Sequence, residues 1–324
     1  MITGKKLFIT GGAGFIAANL IKRLIADNEI VIYDNLSRSV LKDSGLWSYP
    51  NLRITQGDIL GYEYIKESIP EDVNFVLHMA AIAGIDTVIK NPVKTMEVNM
   101  IGAYHVLKAV RELKLLEKVE RFINFSTSEV FGVNTFRANE KSSTNLQPVG
   151  EARWTYSVSK LAGEHLANSY HKQYGLNAVN VRPFNIYGPG QVGEGAIHHF
   201  VVRAIKNEPL LIHGDGSQIR SWCYIDDMVD GILLCLEKEE ATGEVFNIGN
   251  PKGIITILGL AEKIVQLADS PSQITHVPKN YVDVELRSPS IEKARKLLGF
   301  EPKVDLDEGI KRTIKWYKDK IGVA

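Results

Sequence analysis

The sequence predicts an α/β fold, a doubly wound parallel sheet followed by a smaller α/β substrate-binding C-terminal domain. Three observations carry this expectation. A short apolar strand enters a glycine turn, a helix, a second strand and a terminal acid. Strands and helical stretches then alternate through the first half. Finally, 324 residues, 44% hydrophobic and 23% charged, suit one large or two moderate domains with a substantial core.

The first strand is Lys6-Leu7-Phe8-Ile9-Thr10. Gly11-Gly12-Ala13-Gly14-Phe15-Ile16-Ala17 opens a helix that runs to about Ala26. Glu29-Ile30-Val31-Ile32-Tyr33-Asp34 is the second strand and completes a βαβ unit of the Rossmann type. Gly11 permits the tight turn. Gly14 lets the backbone approach a pyrophosphate at the helix N-terminus, where free N–H groups and the dipole favour an anion. Phe15 and Ile16 continue that turn. Asp34 lies 23 residues after Gly11, the spacing of a ribose 2′-OH acceptor, with Asn35 beside it. An acid there repels a 2′-phosphate, which favours NAD over NADP. Arg38 is the residue that could reverse this preference.

Further strands are Leu52–Asp58, Asn74–His78 and Arg121–Ser126. Helical stretches separate them, including Asp86–Lys90 with Val98–Leu116, and Lys160–Tyr174. Ligands of such a sheet sit at the carboxyl ends of its strands. There His78-Met79-Ala80-Ala81, Ser126-Thr127-Ser128-Glu129 and the helix bearing Tyr156 converge. Residues 1–180 are expected to form the NAD-binding domain, rejoined by the chain within about 221–252. Residues 181–324 are expected to form a second, substrate-binding domain.

Lys+Arg and Asp+Glu both total 38, so the net charge is zero and nothing favours nucleic acid or an anionic membrane as partner. Cys223 and Cys235 fit no zinc or redox spacing, and no metal is expected. The opening Met1–Lys6 is not a secretory signal, and no apolar run is long enough to span a membrane. A cytoplasmic enzyme is the resulting expectation.

Tyr156-Ser157-Val158-Ser159-Lys160 supplies candidate chemistry. Positions four apart share one helix face, so the Lys160 ammonium can sit beside the Tyr156 phenol. A cation favours the phenolate. Moving the phenol from about 10 to about 7 takes roughly 4 kcal/mol. Lys160 and a positively charged nicotinamide ring could share that task. The product is a base that takes a proton from an alcohol while the ring takes the hydride.

These residues together resemble the extended short-chain dehydrogenase/reductase family of NAD-dependent sugar-nucleotide epimerases, dehydratases and decarboxylases. The resemblance runs through Thr10–Ile16, Gly57-Asp58-Ile59, His78–Ala81, Asn99–Gly102, Ser126–Gly132, Tyr156–Lys160, Arg182–Gly190, Arg220–Asp227 and Asn247–Gly249. Ala17 departs from it, standing where the family usually has a third glycine. The resemblance implies that Asp58 and Ile59 hold the adenine and that Ala80 and Ala81 border the cofactor. It implies that Lys160 bonds the nicotinamide ribose and that Thr127 binds the sugar hydroxyl being oxidised. His78 is read as a packed strand-end residue. Asn99 is either helix packing or a ligand contact. Asn185 is a sugar or phosphate contact. Arg220 and Arg287 are candidate pyrophosphate ligands, with a surface ion pair to Asp283 or Glu285 as the plainer reading of Arg287.

The implied first step is oxidation at C4 of a nucleotide-diphosphate sugar. The residues after Thr127 separate its sequels. The 4,6-dehydratases typically carry Asp-Glu there, whereas simple 4-epimerases usually lack a glutamate. This chain has Ser128-Glu129, closest to the UDP-glucuronate decarboxylase-like branch. Arg153, in the turn before Tyr156, is a candidate partner of a uronate carboxylate. A 4-epimerase, a dehydratase variant using Glu129 as C5 base, and a non-catalytic NAD-sensing protein are the alternatives. The resemblance also implies a homodimer through helices Val98–Leu116 and Thr155–Tyr174; Val106, Leu107, Val110 and Leu113 recur at helical spacing and face either that interface or the sheet of their own subunit.

Overall fold

Seven strands form one parallel sheet in a computed structural model that describes residues 2–279 and 281–322. Its first five strands are β1 (Lys6–Thr10), β2 (Glu29–Asp34), β3 (Leu52–Gln56), β4 (Phe75–His78) and β5 (Arg121–Phe125). The spatial order is Val245–Ile248, Ala178–Pro183, β5, β4, β1, β2, β3. The order reverses between β4 and β1, which opens a ligand crevice at their carboxyl ends. Every residue of β5 is buried, and so are four of the five in β1. Helices on both faces impose this, which is why these strands read as apolar runs rather than alternating ones.

Helix α1 (Phe15–Leu24) buries Ala17, Ala18, Leu20, Ile21 and Leu24. Full burial of each leucine or isoleucine side chain contributes about 1.5–3 kcal/mol. Ala17 is 1% exposed, so a methyl group fits the packing position where the family has glycine.

Two helical regions differ from their sequence-based bounds. The helix carrying Tyr156 runs Ala152–Tyr174, starting earlier than the sequence-based bounds and placing Arg153 in its first turn. The other region is broken into Ile85–Lys90, Pro92–Met96, a π-helical turn Glu97–Ile101, and Gly102–Glu112. Lys114, at φ 57, stops it short of Leu116. Val106, Leu107 and Val110 pack into the core of their own chain, with Leu113 partly buried against the same cluster. They are therefore withdrawn as dimer-interface candidates. The exposed apolar groups of this region are Ile89, Val93, Ile101 and Tyr104, with Val158 on the Ala152–Tyr174 helix.

Three strands from beyond Pro183 and one from before it form a four-stranded sheet in the order Ile254–Thr256, Ile219–Ser221, Leu286–Pro289, Asn134–Ala138. It pairs Arg220 with Arg287 in parallel register. Two cations side by side repel, so this sheet requires acids nearby. No helix among the described residues is long and apolar enough to cross a membrane.

Candidate active site

Two cavities adjoin the carboxyl edge of the sheet. The first, about 730 Å³, is lined by Gly11, Asp34, Asn35, Arg38, Asp58, Ile59, Ala80, Ala81 and Val98 among others. Gly11 has φ 69, and a Cβ there would lie 2.5 Å from Ala80 N. Gly14 caps α1, whose first turn carries no acid and whose cap makes no side-chain hydrogen bond. The N–H groups at that end are thus available to a phosphate. The Asp34 carboxylate accepts from Ala13 N at 3.0 Å and Leu36 N at 2.7 Å, which fixes its aim. Asp58 accepts from Leu60 N at 2.9 Å, and its carbonyl accepts from the Tyr33 hydroxyl. Phe15 and Ile16 form the first turn of α1. A glycine cradle, an uncapped helix end and a ribose-facing acid fit NAD.

The second cavity is a cleft of about 1940 Å³. Thr127, Ser128, Glu129, Arg153, Tyr156, Asn185, Arg220 and Asp283 line it. Burial dominates the Tyr156 phenol and pushes it up to about 12, against the hydrogen bond from Thr127. Burial takes the Lys160 ammonium down to about 8. Lys160 is 4% exposed and makes no hydrogen bond or ion pair among the described residues. The protein's own groups thus hold the phenol up, which leaves its lowering to the positively charged nicotinamide ring that the sequence reading pairs with Lys160. Reaching about 7 from about 12 takes roughly 7 kcal/mol. His78 is fully buried, with Nδ1 2.8 Å from Thr10 Oγ1. Burial and the nearby Lys160 charge hold it neutral, down at about 3.

Glu129 follows Thr127, which caps a short 3-10 turn, Ser128–Phe131, by accepting from Glu129 N. Its carboxylate pairs with Arg287 and, at 3.3 Å, with Arg153. Asp283 completes the cluster at 3.2 Å from both Arg153 and Arg220. Burial opposes ionisation of Glu129, but Arg287 and Arg153 outweigh it and hold the carboxyl down at about 2. Burial lowers Arg220 to about 10. This cluster joins three guanidinium groups to two carboxylates, whereas the cleft lining as a whole carries Asp86, Glu129, Glu194 and Asp283 against Arg153, Arg203 and Arg220.

Several placements depart from the sequence reading. Arg287 is 1% exposed and donates to Glu129 and to the Gly132 carbonyl, so it is neither a surface ion pair nor a residue facing the cleft. Its register beside Arg220 demands a buried anion, and Glu129 supplies one. Asn99 sits in the π-helical turn, accepts from Ile82 N, and donates to Ile82 O and Ser159 Oγ. Those bonds use its amide to pack Ile82, part of the cofactor-cavity wall, and match the packing reading of Asn99. Arg153 does line the cleft, but already paired. Asn185 lines it from a left-handed backbone, φ 44, and donates to the Ser221 carbonyl. Asp283, Tyr281, His199 and Arg203 also line the cleft and were not singled out for it. Only Asp283 gave a signal, as an acid near Arg287, and the structure assigns it to other arginines.

The comparisons agree with this geometry. A family described as the NAD dependent epimerase/dehydratase family matches residues 7–249. The chain is 32% identical to UDP-glucuronic acid decarboxylase 5 of Arabidopsis thaliana, over 98% of this chain and 91% of that protein. It is also 32% identical to a UDP-N-acetyl-alpha-D-glucosaminuronate decarboxylase of Bacillus cytotoxicus, over 97% and 98%. Among solved structures, UDP-glucuronic acid 4-epimerase from Bacillus cereus, with UDP-glucuronic acid and NAD, superposes with TM-score 0.88. The identity there is 28%, over 97% of this chain and 99% of that one.

Proposed function

The chain belongs to the NAD-dependent epimerase/dehydratase family, and we propose that it is a cytoplasmic decarboxylase of UDP-linked uronates. The observation that carries this reading is Ser128-Glu129 at the cleft, with Glu129 held ionised by two buried arginines. A 4,6-dehydratase needs a carboxylic acid where Ser128 stands, and it needs a base at C5. A carboxylate held at about 2 is a poor proton acceptor near pH 7, which counts against the dehydratase variant. The names of the relatives agree with this reading.

NAD, held at Gly11, Gly14 and Asp34, would supply the hydride acceptor for C4 and a positive ring that favours the phenolate. Tyr156 takes the proton of the C4 hydroxyl, which Thr127 holds in line. The C4 ketone makes the C6 carboxylate a β-keto acid, so the C5–C6 bond breaks to release CO2. Its electron pair enters an enolate whose oxygen faces the Tyr156 and Thr127 hydroxyls, donors of the oxyanion-hole kind. Asn185 and Arg220 face the rest of the substrate, and Lys160 supports the cofactor ribose. Residues 1–180, with the return within 221–252, form the cofactor lobe, and 181–324 form the sugar-nucleotide lobe. Val93, Ile101, Tyr104 and Val158 form the contact face of a homodimer.

The test is incubation with a panel of UDP sugars and UDP uronates, followed by mass spectrometry. Loss of CO2 from a uronate supports the reading. Unchanged mass with altered stereochemistry establishes a uronate 4-epimerase instead, the reading favoured by the 0.88 superposition. Loss of water establishes a dehydratase.

A further inference from the structure

Glu194 joins three segments far apart in the chain. One oxygen accepts from Asp86 N at 2.7 Å; the other accepts from Thr87 N at 3.0 Å and Thr87 Oγ1 at 2.6 Å. Arg38 Nη2 lies 3.8 Å away and donates to the same Thr87 hydroxyl at 2.7 Å, while Arg38 Nη1 donates to Ala83 O at 2.8 Å. Glycines make the approach possible. At Gly84, φ 101, a Cβ would sit 2.7 Å from the Glu194 carboxyl carbon. At Gly193, φ 80, a Cβ would lie 3.7 Å from the Arg38 guanidinium.

The position of this junction gives it a consequence. Arg38, Ala80, Ala81 and Ile82 line the cofactor cavity. Ala83, Gly84, Glu194 and Gly195 line the cleft. The loop from Ala80 to Gly84 is thus a wall common to both, and Glu194 fastens the far side of the cleft to it.

We propose that Glu194 is a positioning residue that couples the two sites, so that a cofactor seated against Arg38 and Ala80–Ile82 orders the loop Gly193–Gly195 for the sugar nucleotide. The cleft's occupant rests on the function proposed above; the coupling itself does not. A ligand that immobilises one wall lowers the ordering cost of the second binding event, which tightens it without any direct contact.

Hydrogen exchange on the full chain, stripped of cofactor and then saturated with NAD, tests the coupling alone. In the wild type, NAD slows exchange about fivefold or more at residues 191–196 as well as at 11–17. In Glu194→Ala the protection at 11–17 persists while that at 191–196 disappears. Thr87→Val, which removes one hydroxyl, reduces the distal protection in part. Calorimetric titration with UDP then gives the linkage. NAD tightens UDP binding by about fivefold or more in the wild type and by a factor near one in Glu194→Ala. A purely structural role would weaken both ligands and leave that ratio unchanged. Equal NAD protection of 191–196 in wild type and Glu194→Ala overturns the proposal, as does its absence from the wild type. A wild type that shows the NAD effect but binds no UDP overturns the nucleotide assignment and leaves the coupling standing.

Discussion

Glu129→Gln keeps the shape of the side chain and removes its charge. In the wild type the carboxyl falls from the ordinary 4.5 to about 2, because Arg287 and Arg153 outweigh the burial that opposes ionisation. A shift of about 2.5 units is worth about 3 kcal/mol, reduced to roughly 2–3 kcal/mol for a side chain still in partial contact with water. A depressed acid contributes stability that is fully present above its unfolded value and is lost as pH falls through its folded value. The contribution is therefore complete above about pH 5 and fades between there and about pH 2. Urea unfolding across that window should show the wild type losing roughly 2–3 kcal/mol more than Glu129→Gln. The catalytic half of the prediction uses single-turnover mixing with a UDP uronate. NADH absorbance should rise at close to the wild-type rate, because Thr127, Tyr156 and Lys160 suffice for hydride transfer. Release of CO2 should slow by about tenfold or more, about 1.4 kcal/mol of barrier, because Glu129 holds Arg153, the candidate partner of the uronate carboxylate, at the cleft wall. If NADH formation falls as steeply as CO2 release, Glu129 belongs to the oxidation step or to substrate binding. If neither rate changes while the acid-stability difference remains, Glu129 is structural and the decarboxylase reading loses its main support.

Tyr156→Phe should lower turnover by far more than tenfold, that is by more than about 1.4 kcal/mol of barrier, while NAD binding and the melting temperature stay near wild type. Steady-state kinetics beside a thermal scan decides it, and a variant above a tenth of wild-type activity removes the base assignment. NAD should bind more tightly than NADP, since the Asp34 carboxylate is fixed toward the ribose and Arg38 is engaged by Ala83 and Thr87. Parallel titration of the two cofactors checks this, and equal or tighter NADP binding would show Arg38 dominating. Light scattering at micromolar concentration should give a dimer mass for the wild type and a monomer mass for Tyr104→Glu, because burying that charge in an apolar contact is costly. A wild-type monomer, or a dimer untouched by the substitution, would discard the proposed contact face.

The sequence by itself determined what short-range regularities encode. The strand, glycine turn, helix, strand and acid of residues 6–34 are contiguous, and each part has a local reason, so the structure reproduces them closely. Tyr156 and Lys160 share a helix, and four-residue spacing is enough to place them on one face. Only the tertiary structure decided the rest. Arg287 meets Glu129 across 158 residues, and Glu194 meets Thr87 across 107. No periodicity marks such pairs, since a buried arginine and an exposed one are the same letter. Their partners were set by the small sheet, which lays Arg220 beside Arg287 in register and so requires anions within reach. The same blindness left Val106, Leu107 and Val110 open between a dimer interface and the core of their own chain. A helical stripe declares that it is buried, while only the packed fold declares against what.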